Sequence, residues 1–121
     1  MTVTQAVRDL QIEICQKYGS DFEPPSDSLK VGIALNVLEK LTPLNGLRSE
    51  PIGDTSGWYI WAGDVLSDDP EFFRPLHLAH IAEWCPEIIK YLALAPGFRF
   101  LRAGEYEDVW FDETLLQLSK G

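Results

Sequence analysis

Apolar residues recur at spacings of four and three along the first stretch of the chain: Val3, Val7, Leu10 and Ile14, with Tyr18 continuing the stripe. Asp9, Glu13, Gln16 and Lys17 fall on the other side, so residues 3–18 are predicted to form an amphipathic helix. Thr2 or Thr4 supplies its cap and Gly19 its end. From Ser20 to Ser28 the pattern breaks. Pro24 and Pro25 cannot continue a helix or a central strand, and this loop carries three acids and no base.

Leu29 to Leu41 supports two periods. Val31, Ile33, Leu35 and Val37 alternate as in a strand, whereas Val31, Ala34, Leu35, Leu38 and Leu41 step as in a helix behind a Ser28 cap. Periodicity does not separate the two in so short an apolar run, and the strand is preferred slightly. Thr42 to Gly46 is a turn, and Leu44 to Ser49 a short strand leading to the Pro51–Ser56 connection. Trp58, Tyr59, Ile60 and Trp61 all favour strands. Trp58 and Ile60 share one face, Tyr59 and Trp61 the other. With both faces apolar, this strand is central to a sheet or turns one face to a partner.

After an acidic loop, Asp64 to Asp69, the Asp69-Pro70-Glu71 sequence is a helix-start signal. Pro75 interrupts it, which predicts a single turn at 70–74 and a helix from Pro75 to about Trp84. Cys85-Pro86-Glu87 repeats the start signal for a second helix ending near Leu94, and Pro96-Gly97 breaks that one. Phe98 to Ala103 and Glu107 to Phe111 form a predicted β-hairpin around Gly104, and Thr114 to Lys120 a terminal helical turn. The order predicts a single α+β domain over residues 1–121, with a largely antiparallel sheet against the N-terminal helix and a central pair of short helices.

Charge narrows the function classes. The chain has 121 residues, of which 45% are apolar and 24% charged, and a net charge of −9. Phosphate backbones and anionic membrane surfaces would be repelled, while a basic partner would be steered in. The N-terminus has no basic segment followed by an apolar one, and no apolar run reaches the roughly 18 residues of a membrane span. The expected setting is the cytoplasm, with neither nucleic acid nor membrane as partner. Cys15 and Cys85 have no metal-ligand spacing around them and are expected to be reduced and partly buried.

Candidate chemistry is sparse. His77 and His80, three apart on the predicted helix, would share a face, with Glu83 or Cys85 nearby; a zinc site wants three or four ligands and only two good ones are present. No nucleophile elbow, cysteine signature or phosphate-cradling glycine loop occurs, and Asp64, Asp68, Asp69 and Glu71 lack the spacing of a calcium loop. No catalytic residue, metal or cofactor is expected. Two acidic runs stand out instead: Asp64, Asp68, Asp69 and Glu71, then Glu105, Glu107, Asp108, Asp112 and Glu113, with no base from Ala103 to Leu118. Trp110 lies in the second. If Val109 and Phe111 face the core, Trp110 shares the outer face with Asp108 and Asp112, an arrangement suited to a positively charged partner.

The segment from Asn45 to Pro51, followed by Thr55-Ser56-Gly57-Trp58 and then Gly63-Asp64, resembles a bacterial family first filed as a domain of unknown function and later assigned to the immunity proteins of polymorphic toxin systems (immunity family thirty-three). Asp68 to His77 and Pro96 to Asp112 are similar to the second half of that group. The resemblance covers roughly residues 30 to 115 and leaves out the N-terminal helix; Tyr59 and Ile60 depart from it. It implies an α+β fold and a cognate toxin as partner, neutralised by occlusion without catalytic residues. The surface expected to do this comprises Asp64, Asp68, Asp69, Glu105, Glu107, Asp108, Trp110 and Asp112. The alternatives are a generic interaction or adaptor domain, and a small metal-binding protein using His77 and His80.

Overall fold

The computed structural model describes residues 3–118, with side chains as far as Leu116. Helix α1 spans Gln5–Tyr18. Val7 donates its N–H to the Thr4 hydroxyl at 3.2 Å, and Gly19, at φ 73°, closes the helix with a bond to the Cys15 carbonyl. Both ends follow the expected capping chemistry. The buried face is rotated from the expected stripe: Gln11, Ile14 and Cys15 are buried, whereas Leu10 is 45% exposed. Gln11 takes the inward position because its amide donates to the Ile89 carbonyl at 2.9 Å, which satisfies a polar group at the helix contact.

Six strands follow: β1 Lys30–Ala34, β2 Leu44–Arg48, β3 Thr55–Ala62, β4 Phe73–His77, β5 Phe98–Ala103 and β6 Tyr106–Phe111. They form one sheet in the order β4-β1-β3-β2-β5-β6, with β3 near the centre, as its two apolar faces required. Only β1 and β3 pair in parallel, so the sheet is largely antiparallel and the fold α+β. The ambiguous Leu29–Leu41 run resolves into both forms: strand β1, then a 3-10 turn over Leu35–Glu39 that buries Val37.

Alternation along β3 separates two faces. Trp58 and Ile60 point into the main core with Ile33, Phe100, Ile88, Leu92 and Val109. Trp58 also donates its indole N–H to the Leu92 carbonyl at 3.0 Å, and Tyr91 stacks on Phe100 with ring centres 4.5 Å apart. On the opposite face Tyr59 and Trp61 meet Phe73 of β4, at 5.2 and 6.1 Å between ring centres. That cluster lies outside the main core.

The helix expected over Pro75–Trp84 starts later and is shorter than expected. Phe73–His77 is edge strand β4, followed by a 3-10 turn at Leu78–His80 and a short helix α2 at Ile81–Trp84. Asp69 does accept the Glu71 N–H at 2.9 Å, so the start signal builds a turn, but the chain then pairs with β1. Proline is tolerated on such an edge because a sheet's outermost strand need not donate on its free side. The second expected helix is a 3-10 segment, Pro86–Tyr91. The β5–β6 hairpin turns at Gly104 as expected, and α3 occupies Thr114–Leu118; the rest of the terminal turn, to Lys120, lies outside the described residues.

Candidate interaction edge and acidic cleft

Strand β6 is the other edge of the sheet. Its side chains alternate as an antiparallel strand requires. Val109 is buried against Phe100, its register partner, and Glu107 lies on the same side. Tyr106, Asp108 and Trp110 take the opposite face, with Tyr106 60% and Trp110 37% exposed. Phe111 follows Val109 in phase yet is 51% exposed, its ring held edge-on to Phe98 at 5.3 Å. Three aromatic side chains therefore reach solvent along one six-residue strand.

Trp110 is not bare of cations. Arg99, its partner on β5, lies 5.5 Å from the ring centre and bonds Asp112 at 3.2 Å. The Asp112 carboxylate also accepts from Thr114, which with Arg99 holds its pKa below the usual carboxylate range. Asp112 thus caps the following helix and braces Arg99, while Asp108 is exposed.

Glu107 points the other way, toward α1. It accepts from Tyr18 at 2.9 Å and Tyr91 at 2.6 Å, and lies 3.6 and 3.2 Å from the ammonium groups of Lys17 and Lys90. Burial opposes its charged form, but the bonds from Tyr91, Tyr18 and Lys90 prevail and hold its pKa at about 2. This carboxylate anchors α1 and the Pro86–Tyr91 segment to β6.

The remaining acids spread along the sheet. Leu44 pairs with both Ala62 and Arg102, so Asp64 leaves β3 at the end of the sheet where Glu105 turns the hairpin. Asp68 and Asp69 continue from there in the exposed β3–β4 connection. Asp112 stands at the opposite end, roughly 20 Å from Glu105 along the strand. The eight candidate residues do not form one patch.

At that opposite end lies a feature the sequence did not mark. A cleft of about 560 Å³ is lined by Tyr18, Asp21, Glu23, Glu50, Pro96, Phe98, Trp110 and Phe111, among others. Asp21, Glu23 and Glu50 are exposed and form no ion pair among the described residues. Arg48, 4% exposed, ties segments that lead into the cleft: it donates to the carbonyls of Glu23 and Leu94 at 2.7 Å each and to that of Ser56 at 3.0 Å. Burial lowers its pKa to about 10, which leaves it charged at neutral pH. Only the base-free run of acids in Ser20–Ser28 hinted at this wall, because the cleft draws on segments far apart in the chain.

The histidines depart from expectation. His77 ends β4 and His80 sits in the following 3-10 turn, so no common helix face presents them. His80 lies 3.7 Å from Glu83, and no group of three or more metal-ligating side chains converges among the described residues. Cys15 and Cys85 are both buried thiols, and burial pushes the Cys85 pKa up to about 12 and raises that of Cys15. No helix among the described residues is long and apolar enough to cross a membrane.

No curated protein and no solved structure matches the chain. The profile of the Imm33-like domain family matches residues 10–112. It begins inside α1, upstream of the resemblance read from residue 30, and ends at Asp112, so it takes in all six strands and every wall of the cleft. The chain belongs to the Imm33-like domain family.

Proposed function

We propose that the chain is an immunity protein that binds a cognate bacterial toxin in the cytoplasm and neutralises it by occlusion, without chemistry of its own. Membership of the Imm33-like family carries this reading. The net charge of −9 supports a basic toxin, since opposite charge accelerates encounter and adds specificity. Exposed Trp110, Tyr106 and Phe111 supply aromatic side chains of the kind that dominate binding energy at interfaces. The contact surface we assign centres on Asp108 and Trp110, with Glu105, Asp64, Asp68 and Asp69 toward one end of the sheet. Glu107 and Asp112 support it through their bonds to Tyr18, Tyr91 and Arg99.

The test is co-expression. Cells producing the cognate toxin should stop growing, and the chain supplied in the cytoplasm should restore growth. Continued arrest with the chain abundant and folded would overturn the reading.

A further inference from the structure

Strand β6 has an unused hydrogen-bonding edge. Asp112 donates its N–H to the Gly97 carbonyl at 2.7 Å, which sets the phase of the β5–β6 ladder. In an antiparallel pair, alternate residues bond across and the others turn outward. Asp108 and Trp110 therefore bond toward β5, and Glu107, Val109 and Phe111 direct their N–H and C=O groups away from the sheet. No backbone hydrogen bond from another described segment reaches those three.

Proteins normally protect such edges with proline, bulges or charge. Strand β4 does so with Pro75 at its centre. Strand β6 has no proline, pairs with β5 in unbroken register and is rich in strand-favouring residues. Its protection is the charge of Glu105 and Asp108, both exposed, since Glu107 is paired with Lys17 and Lys90 and Asp112 with Arg99. Those carboxylates would face one another if two copies paired along β6, and like charges opposite each other destabilise a strand pair. A strand bearing lysine or arginine meets no such penalty.

From this we infer that β6 is a docking edge that takes an extended basic segment of a partner protein as a seventh strand, with one basic side chain entering the cleft beneath Trp110 and Phe111. The inference rests on the immunity reading for its partner, the toxin, and deepens it by naming the mode of contact. Main-chain bonds supply affinity in strand addition and side-chain pockets supply specificity. At the end of β6 the cleft offers such a pocket, lined by Trp110 and Phe111 and by three acidic residues, Asp21, Glu23 and Glu50.

The experiment uses the full chain and a soluble peptide of alternating lysine and valine, with a glutamate–valine peptide as control. Amide hydrogen exchange should slow at Val109 and Phe111 with the lysine peptide and stay unchanged with the control. Two variants separate edge pairing from ring contact. Phe111→Ala keeps the outward N–H, whereas Phe111→Pro removes it without breaking the β5 ladder. Each must retain the wild-type circular dichroism; if the proline variant does not fold, the exchange protection at Val109 and Phe111 in the wild type decides, and its absence overturns the inference. The proline variant should bind the peptide about tenfold more weakly than the alanine variant, and neither should form dimers. Equal affinities, protection elsewhere on the chain, or self-association through β6 would overturn the inference. Growth protection by the wild type keeps the two ideas apart. If it persists while Phe111→Pro protects as well as Phe111→Ala, the docking edge fails and the immunity reading stands.

Discussion

Tyr91 donates its hydroxyl proton to Glu107 across 2.6 Å, linking the segment under the sheet to the exposed edge strand. Tyr18 does the same from α1 at 2.9 Å. One carboxylate thus ties three elements together, although the sequence placed it among the residues of an expected binding surface. Its folded pKa lies below its ordinary value, so the unfolded chain binds the extra proton. The associated stability is complete above about pH 4.5 and is lost as pH falls toward 2. Replacing Glu107 with Gln is expected to cost roughly 2 kcal/mol at pH 7, and to flatten the fall in stability between pH 4.5 and 2. Urea unfolding across that range measures both.

Arg48 is predicted to be the most costly polar residue to lose. It is buried, forms no ion pair among the described residues, and satisfies three carbonyls from the 20–28 loop, β3 and the segment before β5. Arg48→Met would remove a buried charge but strand those acceptors, and stranded buried acceptors cost roughly 1–3 kcal/mol each. A net loss of about 3 kcal/mol in thermal or urea unfolding is the expected result.

Two strand glycines should differ in sensitivity. A Cβ on Gly46 would overlap the Phe100 ring, which is 1% exposed and stacked on Tyr91. A Cβ on Gly32 would approach the Tyr59 ring at 2.7 Å, on the face away from the main core, where the ring is only partly buried. Gly46→Ala is expected to cost about 3 kcal/mol and Gly32→Ala about 1, because overpacking is penalised where neighbours cannot move. The midpoints of urea unfolding would show the order.

Much of this architecture could be read from residue order. Caps at Thr4 and Gly19, the central strand at Trp58–Trp61 and the hairpin around Gly104 all follow from local chemistry that tertiary contacts do not override. The failures share a cause. Asp69-Pro70-Glu71 carries a real helix-start signal, yet residues 73–77 gain more by pairing with β1 than by continuing one turn of helix. Leu10 fits an apolar stripe, but Gln11 finds the Ile89 carbonyl and takes the inward place. For the candidate site, the strand alternation that sets Asp108 beside Trp110 was visible, because it needs only a period of two. The cleft was not, since Asp21, Glu50, Pro96 and Trp110 meet only after the sheet has assembled.

Binding of the purified toxin is the decisive measurement for the proposed acidic, aromatic edge. Wild-type chain should form a tight one-to-one complex whose association slows as salt rises. Asp108→Lys should slow association further, and Trp110→Ala should weaken the complex about 30-fold, both with near-native unfolding midpoints. No complex, or a complex indifferent to salt and to both substitutions, would rule out this edge as the toxin-binding surface.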